Sequence, residues 1–96
     1  MIKHVVCFRL TDKSEEMLDK TKRILLSMKE NVPTVCDIEV GVDFLGSPRS
    51  FDIYLGVVLD SREVLDEYQN DTYHVEVVKK HMHAVAEQSI AVDFDI

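Results

Sequence analysis

The chain predicts an α+β domain: four antiparallel strands with helical segments on one face. Three observations lead there. Apolar and polar residues alternate in four separate stretches, the period-two pattern of strands. Between the first and second of these, and again between the third and fourth, apolar residues recur at three-to-four spacing, the pattern of an amphipathic helix. A length of 96 residues holds one core and leaves no room for a second.

The first strand spans Ile2 to Leu10, with Ile2, His4, Val6, Phe8 and Leu10 on one side and Lys3, Val5, Cys7 and Arg9 on the other. Thr11, Asp12 and Ser14 are candidate caps for a helix over roughly 14–31, and Glu15 and Glu16 suit its N-terminal dipole. Its apolar stripe is Met17, Leu18, Thr21, Ile24, Leu25, Met28 and Val32; Asn31 and Pro33 end it. The second strand falls near Cys36 to Phe44, where Ile38, Val40, Val42 and Phe44 alternate with Asp37, Glu39, Gly41 and Asp43. Gly46 and Pro48 break the chain into a loop.

The third strand, Phe51 to Leu59, sets Phe51, Ile53, Leu55, Val57 and Leu59 against Asp52, Tyr54, Gly56 and Val58. Asp60 or Ser61 should cap a short helix through Tyr68. After an interruption at residues 69–71, a second helical stretch over Thr72 to Ala86 should bury Val75, Val78, Met82 and Val85. Asp71 is placed to cap it. The last strand is Ser89 to Asp95, with Ile90, Val92 and Phe94 opposite Ala91 and Asp93. This βαββαβ order, closed by right-handed crossovers, makes the ferredoxin-like arrangement.

The helical segments cover one face of such a sheet. Val5, Cys7, Tyr54 and Val58 lie on the other, and if strand four adds Ile90, Val92 and Phe94, the bare patch exceeds what a lone subunit tolerates. A second copy, sheet on sheet, is the expected cover.

The net charge of −7 argues against partners that offer a phosphate backbone or an anionic bilayer. No stretch approaches the ~18 apolar residues of a membrane span. Cys7, between Val6 and Phe8, and Cys36, between Val35 and Asp37, stand alone without metal-ligand spacing and read as buried small hydrophobes. The opening residues do not form a signal peptide, which points to the cytoplasm. No motif calls for a cofactor.

Three stretches together, "MIKHVVCFRL", "FDIYLGVVLDSREVLDEYQNDTYHVEVV" and "IAVDFDI", resemble the stress-responsive A/B barrel domain (Dabb) family over nearly the whole chain. The most specific elements are Lys3-His4, the "EYQ…HVEV" block and Val92-Asp93-Phe94. The resemblance implies one Dabb domain over residues 1–96 and a homodimer of ferredoxin-like subunits joined through their sheets into a barrel. It also implies a pocket between sheet and helices in which, as in the family's polyketide cyclases, His74, Tyr68 and His4 do the chemistry. The family often reads His-Pro upstream of His74, where this chain has Asp71-Thr72, and Thr21, Lys22 and Leu25 replace the aromatics that line the cyclase pocket. A long alkyl substrate is therefore not expected. Some members hold magnesium on main-chain carbonyls, here those of Lys29, Val32 and Val35.

His74 at a helix start should stay neutral and could serve as a general base, with Tyr68 polarising a carbonyl. His4 points toward the helices and needs a polar partner, and the three rings could equally just satisfy one another. Val6, Phe8, Leu25, Leu55, Val57, Ser89 and Ala91 are the expected pocket lining. His81 and His83 lie on different sides of a helix, cannot share a metal, and read as surface residues. Three functions stay open: a dimer that binds a small ligand without catalysis, a lyase, cyclase or isomerase, and, by the resemblance to the wider superfamily, a small monooxygenase.

Overall fold

The computed structural model describes residues 1–96. Strand β1 (Ile2–Leu10) leads into α1 (Glu15–Leu26) and a short α2 (Met28–Asn31). Strands β2 (Asp37–Val42) and β3 (Ile53–Leu59) follow, then α3 (Val64–Asn70), a π-helical turn over His74–Lys79, α4 (Lys80–Val85) and β4 (Ala86–Asp95). The sheet runs β2-β3-β1-β4, antiparallel throughout, which is the ferredoxin-like order.

Local chemistry accounts for most boundaries. Ser14 caps α1, its Oγ accepting from the Met17 amide at 3.2 Å. The single helix expected over 14–31 is divided at Ser27, whose hydroxyl bonds back to the Ile24 carbonyl and meets the Tyr73 hydroxyl at 2.6 Å. Neither Asp60 nor Ser61 caps α3 through its side chain; the main-chain carbonyl of Ser61 takes the Val64 amide, and the helix starts there. Strand β2 ends at Val42, and Phe44 lies beyond it in the turn, 98% exposed rather than in register. Strand β3 begins at Ile53, leaving Phe51 and Asp52 outside it.

The core lies between the sheet and the helices: Leu10, Ile53, Leu55, Val57 and Leu59 from the strands against Leu25, Met28, Tyr68, Val78 and Met82. Helix α1 packs over β2 and β3, leaving the β1–β4 side to the π-turn and α4. Register fixes the two faces. His4 pairs with Val57 and Asp93, and Val6 with Leu55 and Ala91, all toward the helices. Val5 pairs with Val92 and Cys7 with Tyr54 and Ile90, all toward the open face, where Ile90, Val92 and Phe94 are 49%, 58% and 43% exposed. Cys7 is thus half-buried on that face rather than in the core, and Cys36 is half-buried beside Asp60, its Sγ 3.3 Å from the carboxylate. No helix is long and apolar enough to cross a membrane.

Candidate functional site

A cavity of about 560 Å³ opens between β1, β4, the end of α3, the π-turn and α4. Strand β4 makes room for it. Its helix-facing residues Ser89 and Ala91 are small, while its bulk points the other way. Val6, Phe8, Leu25 and Leu55 line the wall as expected. Val57 does not: it is fully buried, between His4 and Ile38 in the sheet. Gln69, Val78, Lys79, Met82, His83 and Ala86 complete the wall with residues 87–88 of β4.

The three rings singled out in the sequence do converge. His4 meets Tyr68 edge-on with centroids 5.6 Å apart, and His74 lies tilted against the other side of Tyr68 at 4.5 Å. They stack without satisfying one another's polar atoms; each finds its own partner. The His4 Nδ1 bonds the carboxylate of Asp93, its neighbour across the β1–β4 ladder. His74 Nδ1 is 3.4 Å from the Gln69 carbonyl. Nδ1–H donates in both rings, the neutral His74 ring carries its lone pair on Nε2, and neither Nε2 has a protein partner. The Tyr68 hydroxyl turns inward to the Met28 sulfur at 3.6 Å and is fully buried. Burial pushes its phenol well above the ordinary 10. Tyr68 therefore gives the cavity a ring face and not a hydroxyl, and the carbonyl-polarising role expected of it does not fit its geometry.

His74 is held by its backbone. The Asp71 carboxylate accepts its amide at 3.0 Å and the Asp71 carbonyl accepts that of Val75 at 2.9 Å, so Asp71 caps the turn as its residue type predicts. Burial lowers the His74 pKa below the ordinary 6.5, with the nearby Lys79 ammonium acting in the same direction and the Gln69 carbonyl opposing. The imidazole is neutral at pH 7. The Lys79 ammonium reaches the same Gln69 carbonyl at 3.0 Å. His83 lies exposed at the cavity rim, whereas His81 is half-buried: its Nε2 is 2.9 Å from the buried Thr21 hydroxyl, and burial lowers its pKa.

Asp93 and Lys79 are the functional candidates that residue-by-residue reading overlooked. Asp93 shares the helix-facing side of its strand with Ala91, and pairing the strand with β1 places it opposite His4. Lys79 offered no such signal, because only the π-turn brings it round to the cavity. The carbonyls of Lys29, Val32 and Val35 do not fit a bound cation well. That of Val32 already takes the Val35 amide at 3.1 Å, and the Lys29 ammonium sits 2.7 Å from the adjoining Cys36 carbonyl, a fixed positive charge against the turn. No group of three acidic, histidine or cysteine side chains is placed to hold a metal elsewhere.

A ferredoxin-like subunit with one bare apolar sheet face and a histidine-lined cavity under its helices defines a small α+β pocket domain. The chain belongs to the Dabb family: the model of the Stress responsive A/B Barrel Domain matches residues 2–96. Solved structures agree on the fold. A dimeric protein of unknown function from Bacteroides fragilis is similar at a TM-score of 0.83 and 22% identity, covering 99% of this chain and 95% of that one. A dimeric ferredoxin-like protein of unknown function from Thermobifida fusca is similar at 0.83 and 19%, covering 99% and 90%. Hydroxynitrile lyase from Passiflora edulis is similar at 0.81 and 16%, covering 99% and 92%. No curated protein matches this sequence.

Proposed function

We propose that this Dabb domain works as a two-fold homodimer, joined through its open sheet faces, that binds a compact small molecule in each subunit's cavity. The alternation along β4 carries the reading. Ile90, Val92 and Phe94 present apolar bulk on the face no helix covers, while Ser89, Ala91 and Asp93 on the other side leave space and a polar anchor beside His4. The size fits a ligand site, and the lining sets an apolar wall of Val6, Phe8, Leu25, Leu55 and Val78 against polar groups from His4, His74 and Lys79. The Bacteroides and Thermobifida structures, both of dimeric proteins, support the same assembly.

A second reading, a lyase, cyclase or isomerase, draws on the His4–Asp93 pair. A carboxylate on Nδ1 fixes the tautomer and aims Nε2 at the cavity, the arrangement of an imidazole that accepts a proton from a substrate. His74 offers a neutral Nε2 beside it. The likeness to a hydroxynitrile lyase fits this class.

The test follows the histidine ring nitrogens by NMR while benzamide is titrated in. The binding reading expects the His4 and His74 Nε2 signals to shift together, and the response to vanish in Ser89→Trp, which fills the cavity. Unmoved ring nitrogens, or an undiminished response in Ser89→Trp, would contradict it.

A further inference from the structure

The cavity wall holds one positive charge that the fold leaves without a counter-ion. Lys3, Lys13, Lys29 and Arg62 each meet a carboxylate, and of the seven basic side chains that do not, Lys79 is the one that lines the cavity. Lys79 has none within 4.0 Å, in a chain where 18 acidic residues outnumber 11 basic ones. Its Nζ gives one N–H to the Gln69 carbonyl at 3.0 Å, and an ammonium has three. Two donors therefore stay free beside an apolar wall. Glu87, an acidic residue on the rim, is exposed and forms no ion pair with Lys79, so solvent screens it. Asp93 is occupied by His4.

Backbone geometry explains why Lys79 is there. In an α-helix, at about 100° per residue, a side chain five positions on would face roughly 140° away. The wider π-turn closes through i to i+5 bonds and turns the fifth residue much nearer to the side of the first. His74 and Lys79 are that pair, and both reach the Gln69 carbonyl.

We infer that the cavity selects a compact carboxylic acid, its carboxylate on the Lys79 ammonium and its apolar body against Val6, Phe8 and Leu25. The inference rests on the cavity being a ligand site and names the class of ligand. His74 Nε2 bears a lone pair, so the carboxylate belongs on Lys79 and a polar hydrogen or acidic C–H of the ligand belongs on His74. Lys79 is then a specificity-determining residue, set where an anion is recognised by a charge-assisted hydrogen bond.

Benzoate and benzamide, matched in shape and different in charge, are the probes for calorimetric titration of the full chain. Benzoate should bind the wild-type protein about tenfold tighter or more. That preference should fall to near parity in Lys79→Met and persist in Lys79→Arg. Taking the ratio of the two probes within one protein cancels any loss of folding, including the loss of the Gln69 contact. Equal binding of both probes by the wild type, or a preference that survives Lys79→Met, would overturn the inference. If benzamide still shifts the His4 and His74 ring nitrogens in that case, the cavity reading stands without it. If neither probe binds, both readings fall.

Discussion

At His4 the cavity contains an imidazole whose Nδ1 is bound to the Asp93 carboxylate, so its chemistry passes through Nε2. Asp93→Ala should mix the two tautomers of His4, seen in its ring nitrogen shifts, and lower stability by about 1–3 kcal/mol by leaving a buried ring nitrogen unpaired. A wild-type His4 already in the Nε2–H form would contradict this assignment. His74 makes a prediction in pH. Its folded pKa lies below the unfolded value near 6.5, so the unfolded chain binds the extra proton first. Stability from the neutral ring is complete above pH 6.5 and is lost as pH falls through the lower folded value. Denaturant midpoints should therefore drop between pH 7 and pH 5, and less so in His74→Asn; half-buried His81, shifted the same way, keeps part of the slope. A slope unchanged by His74→Asn would show that His74 is not the group responsible. That His4 and His74 would come together at the cavity was expected from the sequence, and both line it. The direction of the Tyr68 hydroxyl was not, because it depends on Met28, forty positions away, and on which side of the ring faces the core.

Among the elements, the segment from Asp71 to Val85 departs most from its expected form. Helical spacing marks Val75 as buried, yet it is 42% exposed, and His74 takes its place in the inward row beside the expected Val78 and Met82. The π-turn causes this by winding more residues into one revolution, which a search for a 3.6-residue period cannot detect. The strands were legible because alternation survives any small error in their ends. Helix α3 started later than Asp60 or Ser61 suggested because a main-chain carbonyl, not a side chain, ends the preceding turn. The Asp71 cap was readable from residue type alone. Asp71→Ala should cost ~1 kcal/mol in denaturant unfolding, and Asp71→Asn, which keeps an acceptor, should recover most of it. Equal losses in both variants would mean that the charge of Asp71 matters and its hydrogen bond does not.

At the scale of the molecule, the sheet has one covered face and one bare one. On the bare side Val5, Cys7, Tyr54 and Val58 are half-buried and Ile90, Val92 and Phe94 stand out into solvent. A polar cluster shares the face: Glu39 accepts from Lys3 and from the Tyr54 hydroxyl, each at 2.7 Å. Gly56 permits it, since a Cβ there would come within 2.6 Å of the Tyr54 hydroxyl. Counting faces against helices was enough to predict this surface from sequence; the register that commits strand four to it needed the paired strands. Phe44 is a control, because it is equally apolar, 98% exposed, and lies beyond the end of β2 rather than in a paired strand. Phe94→Asp should therefore separate the subunits while Phe44→Asp leaves them joined, the two species being distinguished by light scattering.

Sedimentation equilibrium of the wild-type chain at micromolar concentration tests the assembly most directly. The account predicts twice the 11.0 kDa chain mass, with loss to the single-chain mass in Phe94→Asp. A wild-type protein that sediments at 11.0 kDa across that range would contradict it.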